Sequence, residues 1–206
     1  MTLKIEAEVK RGRGRPKAFD RAVAVEAAMT LFWERGYEGT SFDDLTAVMG
    51  INPSSFRNTF KSKEALYREA TDAYLLETGQ WFAEILFGEP DVRAAFARLF
   101  DETAALYTRA DRPSGCMISL AATHVPVSML ALKTLMADHR ASAETAMAER
   151  IRQGQRDGQI GASVDSVVLA AFFNTLFRGM AVQARDGASA NRLADIGRMA
   201  MAAFPA

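Results

Sequence analysis

Three helix-start signals fall within forty residues of one another, and they constrain this chain more than any other feature. Asp20 precedes a stretch in which Val25, Ala28, Met29 and Phe32 recur at i, i+3, i+4 and i+7, and Gly36 stands where that helix should stop. Ser41 with Asp44 three residues on resembles a capping box; Phe42, Leu45 and Met49 then form one apolar face, and Gly50 ends it. Asn52 suits a third cap, with Pro53 at the first helical position, where a missing N–H does no harm. Residues 20–60 are therefore expected to form three short helices, the last two joined by a turn at Gly50 and Ile51. That is the outline of a helix-turn-helix.

The third helix, "NPSSFRNTF", has an unusual surface. Phe56 and Phe60, four residues apart, are its only large apolar groups. Asn52, Ser54, Ser55, Arg57, Asn58 and Thr59 are left for something polar. A helix that enters the DNA major groove needs such short hydrogen-bonding groups near its N-terminus, and Arg57 can meet a phosphate or a guanine edge. Ahead of these helices lies "KRGRGRPK", residues 10–17, in which five of eight side chains are basic and none is acidic. Net charge over the whole chain is zero, from 25 basic and 25 acidic residues, so the polyanion signal belongs to this end alone. Arg11, Arg13, Arg15 and Lys17 fit an arm that follows the DNA backbone or enters the minor groove.

Beyond Ser62 the helices lengthen. They are expected at about 63–86, 90–109, 115–125, 127–156, 164–187 and 189–204, with Gly and Pro between them and no sustained alternation that would mark strands. The fold class is all-α: an N-terminal three-helix domain over 1–62 and a helical domain over 63–206. No apolar run approaches the length of a membrane span, the N-terminus lacks a signal-peptide core, and a lone cysteine excludes an intrachain disulfide. A soluble cytoplasmic protein is expected. Nothing places a catalytic triad, a phosphate loop, a metal site or a cofactor.

"LFWERGYEGTSFDDLTAVMGINPSSFRNTFKSKEALYREA", residues 31–70, resembles the N-terminal signature of TetR-family transcriptional regulators. The resemblance implies a homodimer, a palindromic double-stranded operator, a separate effector-binding domain and repression relieved by a small molecule. It implies phosphate contacts from Thr40 and Ser41 at the start of the second helix and from Lys63 at the start of the fourth, with Pro53, Ser54 and Ser55 opening the recognition helix. One position departs: Arg57 stands where relatives usually have tyrosine within a phenylalanine–tyrosine pair.

Candidate effector contacts are the aromatic or polar positions inside the later apolar helices: Trp81, Phe82, Phe100, Thr103, Tyr107, Met117, Leu120, His124, Phe173 and Asn174. Asn174 and Arg178, one turn apart in "VVLAAFFNTLFRGMAVQA", need a pocket, an interface or a local carboxylate. The same stretch is apolar on nearly every side, as a helix buried between its own core and a partner would be. Effector binding is expected to favour a dimer whose two recognition helices no longer match successive major grooves. Two other readings remain open here: a thiol-based sensor on the same scaffold using Cys116, and a helical enzyme or carrier that does not bind DNA.

Overall fold

The computed structural model describes residues 20–121 and 129–205. Among them there are nine helices and no strand: α1 (Arg21–Arg35), α2 (Phe42–Met49), α3 (Pro53–Phe60), α4 (Lys63–Gly88), α5 (Val92–Tyr107), α6 (Met117–Leu120), α7 (Leu130–Arg156), α8 (Ser166–Arg185) and α9 (Ala190–Met201). The first three start where their caps dictate. The Asp20 carboxylate accepts from Ala22 and Val23 N–H. Ser41 and Asp44 form a reciprocal capping box, and Gly50 closes α2 in the left-handed region at φ 64°. Asn52 accepts from Ser55 N–H with Pro53 inside the first turn.

Apart from α4, which runs two residues past the expected 63–86 to Gly88, the later helices are shorter than expected because caps lie inside the Gly/Pro breaks. Asp91 caps α5 one residue after Pro90, and Asp165 caps α8 by accepting from two amides. The largest difference is α6, which ends after Leu120 because Ala121 turns extended (φ −79°, ψ 141°).

Two apolar clusters form the interior. In one, α1 lays Ala28, Phe32 and Trp33 against Leu45, Phe56 and Phe60, and against Leu66, Tyr67 and Tyr74 of α4. Met117, Ile118, Leu132 and Met136 complete it, so this core runs on through α4 into α6 and α7. The second cluster joins α5, α8 and α9 around Phe96, Phe100, Phe173 and Phe177. Gly197 makes that packing possible: a Cβ there would come within 2.7 Å of Phe100 Cβ. By length and composition α8 could cross a membrane, more than its sequence suggested. Yet 44% of its most apolar window is buried within the chain, as in a core helix. Of its other apolar groups, Val167, Val168, Phe172 and Val182 are exposed.

Lys61 is the one non-glycine among the described residues with positive φ, at 65°. It sits in a three-residue turn closed by Ser62 N–H donating to Phe60 O at 2.7 Å, a strained arrangement for a residue with a Cβ. Lys61→Gly is expected to raise stability by about 1 kcal/mol, a melting-point gain of roughly 2–4 °C for a chain of this size. Thermal unfolding without DNA checks this; an unchanged or lower midpoint would show that the turn is not strained.

Candidate functional site

The α2–turn–α3 unit presents one continuous polar surface. Phe56 and Phe60 are buried, 0% and 2% exposed, and anchor α3. Phe56 meets Phe42 edge-on at 4.7 Å between centroids. Asn52, Pro53, Ser54, Arg57 and Asn58 face outward, with Ser55 and Thr59 half-buried. Ser54 Oγ donates to Asn52 Oδ1 at 2.6 Å, which already accepts from Ser55 N–H, so the cap orders the first turn. The Arg57 guanidinium lies 5.9 Å from the Phe42 ring centroid. It has no hydrogen bond or ion pair among the described residues and is available to an anion.

A bidentate clamp that sequence reasoning missed holds the far end of α3. Arg21 donates to both oxygens of Glu69 at 2.8 Å, and to Thr59 O at 3.1 Å. Its guanidinium lies over the Phe60 ring. Spacing alone gives no sign of this, because the partners sit on three different helices.

Two expected phosphate contacts have internal duties. Thr40 is 0% exposed, and its hydroxyl donates to Gly36 O at 2.8 Å, so its side chain cannot meet DNA as expected. It closes the α1–α2 turn. Ser41 is exposed, but its hydroxyl donates to Asp44 Oδ2 at 2.5 Å and accepts from Asp44 N–H. The Ser41 hydroxyl and then the Ser41 N–H, which also donates to Asp44 Oδ2, hold the Asp44 carboxyl below its usual range, with a smaller contribution from Arg35. Lys63 Nζ lies 4.3 Å from the Tyr37 ring centroid. Partial burial lowers its pKa, against the pull of Glu38. Arg11, Arg13, Arg15 and Lys17 lie outside the described residues.

Above this unit a cavity of about 350 Å³ opens among α4, α5, α6, α7 and α8. Trp81, Phe82, Thr103, Tyr107 and Asn174 are in its wall. Phe100, Met117, Leu120 and Phe173 are not. Phe100 stacks on Phe177 at 4.3 Å and Phe173 packs on Phe96 at 5.0 Å, inside the second core. Met117 belongs to the core around α1 and Leu120 packs against the second cluster. His124 lies outside the described residues.

The wall also holds groups the sequence did not mark, notably Tyr74, Ser119, His139 and Arg140. Cys116 is there too, half-buried, accepting from Tyr74 Oη at 3.3 Å and Ser119 N–H at 3.5 Å. Burial pushes the pKa of Tyr74 and of Tyr107 well up, and the neighbouring Cys116 adds to both shifts. Asn174 donates to Glu144 Oε2 at 2.9 Å, which answers its need for a partner with a local carboxylate. The α7 residues escaped notice because that helix is polar along much of its length, and only its packing shows which turn faces the cavity.

Residues 24–70 match the family described as bacterial regulatory proteins, tetR family, and residues 93–198 match the tetracyclin repressor-like C-terminal domain. The chain belongs to the TetR family of bacterial transcriptional regulators. It is 36% identical over 199 residues to the HTH-type transcriptional repressor ComR of Escherichia coli K12, spanning 96% of this chain and 94% of that protein. Identity to the HTH-type transcriptional repressor BdcR of the same organism is 27% over 190 residues, 91% of this chain and 90% of that one. Among solved structures it resembles a cysteine-substituted mutant of the TetR family regulator CifR complexed with a 26-bp double-stranded operator DNA. The TM-score is 0.90 at 38% identity, covering 93% of this chain and all of that one. As a TetR-family protein this chain is a DNA-binding transcriptional regulator.

Proposed function

We propose that the protein is a cytoplasmic homodimeric repressor that binds a palindromic operator and leaves it when a small molecule fills the cavity. In this reading residues 1–62 carry the DNA contacts and residues 63–206 the effector and dimer contacts. The division is one of roles, since the core around α1 extends into α4, α6 and α7. The observation that carries the DNA reading is the outer face of α3: short polar groups around an arginine with no hydrogen bond or ion pair among the described residues, on a helix fixed by two buried phenylalanines. Support also comes from CifR, a relative solved on its operator. Ser54, Ser55, Asn58 and Thr59 then approach base edges. Lys63, with the arm residues Arg11, Arg13, Arg15 and Lys17, meets the backbone. Selection from randomised duplexes tests the reading: a palindromic consensus with half-sites about one helical turn apart is expected. Recovery of no consensus would overturn it.

Within that complex Arg57 contacts phosphate and reads no base. It lies mid-helix beside the Phe56 anchor, where relatives place a hydroxyl. Arg57→Ala should weaken all sequences alike and flatten the log–log salt dependence by about 0.9 per subunit. Arg57→Tyr should recover much of the binding. Relaxed preference at a single G·C pair, worth about 1–3 kcal/mol, would instead mark a base-reading arginine.

The dimer reading rests on the apolar groups left outside on the last two helices. Val168 is 64% exposed and Met199 74%, with Phe172 and Val182 also on the surface. Monomers rarely leave contiguous apolar patches of this kind open. Light scattering should give a dimer mass for the parent chain, and Met199→Glu should shift it toward monomer. A parent monomer refutes the assignment.

A second reading is favoured by the position of Cys116 in the cavity wall, hydrogen-bonded by Tyr74: a thiol sensor on the same scaffold. Mass spectrometry after mild peroxide separates the two. Oxidised Cys116 with loss of operator binding supports the thiol reading, and an unmodified thiol removes it.

A further inference from the structure

The cavity wall is apolar over most of its area, yet two arginines stand in it: Arg140 on α7 and Arg178 on α8. Neither pairs with a carboxylate among the described residues. Arg140 gives Nη1 to Ile118 O and Ala121 O at 3.0 and 2.9 Å, and these are neutral acceptors. Arg178 has no hydrogen bond or ion pair among the described residues. Burial, and then the neighbouring Arg178 charge, lower the Arg140 pKa from its ordinary value.

Two carboxylates lie behind the wall, and both are engaged. Glu144, one turn along α7 from Arg140, accepts from Asn174. Glu102 accepts from Trp81 Nε1 and from Arg98. At most one of them, Glu144, offsets two cations. Further polar capacity is unused among the described residues: His139 Nε2 is buried without a hydrogen-bond partner there, and the Thr103 hydroxyl, in a residue 2% exposed, has none.

A neutral ligand would leave the Arg140 charge on two neutral carbonyls and the exposed Arg178 charge on water, and would gain nothing from either guanidinium. The chamber is worse matched to a cation, which adds a third like charge. A carboxylate or sulfonate meets the planar donors of either arginine in a charge-assisted, two-point contact. The volume is at the lower end of what small-ligand sites use, room for one compact aromatic or medium-chain body.

We infer that the effector is an amphipathic monoanion, an aromatic or medium-chain apolar body whose carboxylate or like group is held by Arg140 and Arg178. This rests on the effector-release reading above and names the chemistry of its ligand. Asn174 and Thr103 are placed to meet a second polar atom of the ligand.

Two probe pairs test it on the full-length protein. Anilinonaphthalene sulfonate and uncharged phenylnaphthylamine share an aromatic body, as decanoate and decanol share a chain. Each anion is expected to bind at least roughly tenfold tighter than its neutral partner, a difference of about 1.4 kcal/mol. Arg178→Gln should remove most of that preference by weakening each anion more than its neutral partner. Arg178 is exposed and has no hydrogen-bond partner among the described residues, so this variant should fold as the parent does. Arg178→Lys should keep most of the preference. Arg140→Gln should reduce it too, with circular dichroism confirming the helices. Equal binding within each pair, binding by neither anion, or a preference that survives both glutamine variants would overturn the inference.

Adding the aliphatic pair to protein bound on its selected operator separates this inference from the reading beneath it. Release by decanoate and not by decanol supports both. Equal release by the two overturns the anionic effector and leaves effector release standing. Anion-selective binding without release overturns effector release and leaves the anion site in place.

Discussion

Arg150→Ala is expected to lower stability by about 3 kcal/mol or more, the combined effect of stranded carbonyl groups and a side-chain-sized void. Arg150 is 2% exposed. From α7 its Nε donates to Leu86 O at 2.8 Å, and Nη2 to Glu89 O and Pro90 O at 2.9 Å. Those oxygens belong to the end of α4 and the turn into α5, where no helical amide can reach them. A guanidinium suits the place because its donors are fixed in one plane and its charge faces the negative end of a helix. Lysine has one donor head and cannot span three carbonyls, so Arg150→Lys should recover little. Arg150→Met keeps most of the volume and none of the donors, so its gap from alanine gives the packing share. Thermal melts should place the alanine variant roughly 6–12 °C below the parent. A midpoint within about 2 °C would mean that water replaces the guanidinium without loss.

Phe56→Ala should be as costly, about 3–5 kcal/mol, but its effect should be local. The ring is wholly buried between Phe42 and Phe60, with centroids at 4.7 and 5.6 Å. It is one of only two buried side chains on α3. Removing it leaves an eight-residue helix held by Phe60 and the Arg21 clamp, and a helix that short has little stability of its own. Operator binding should be lost, while α5, α8 and α9, around a different aromatic cluster, keep their fold. Hydrogen exchange reads this directly, as lost protection over 42–60 with protection retained over 92–107 and 166–185. Phe56→Leu keeps most of the volume and should keep binding. If exchange rises uniformly along the chain, the two clusters unfold as one unit.

How legible these parts were in the sequence follows from the range of the interactions that make them. Asp20, Ser41 with Asp44, and Asn52 with Pro53 act on amides two or three residues away, so the starts of α1, α2 and α3 could be read directly. The burial of Phe56 and Phe60 followed from their spacing. Thr40 could not be judged in that way, since its hydroxyl turns inward to Gly36 O. In the cavity, composition distinguished apolar helices but not the two sides of one helix. Phe173 and Asn174 are neighbours, yet one packs on Phe96 and the other lines the chamber. Arg21, Arg150 and Arg185 resemble ordinary surface cations in the sequence. Only the fold brings carbonyl groups from other helices to them.

Arg185 has a consequence of its own. It ends α8, donating to Trp33 O at 2.6 Å and to Glu34 O at 3.3 Å, carbonyls in the last turn of α1. Two to three turns earlier the same helix holds Asn174, Phe177 and Arg178 in the cavity wall. Between Arg178 and Arg185 lies unbroken helix, roughly 10 Å of it at 1.5 Å per residue. α8 is thus a lever with one arm in the chamber and its tip latched to the rear of the DNA-reading unit. A ligand that rotates this rod turns the latch by the same angle, with no hinge in between to absorb the motion.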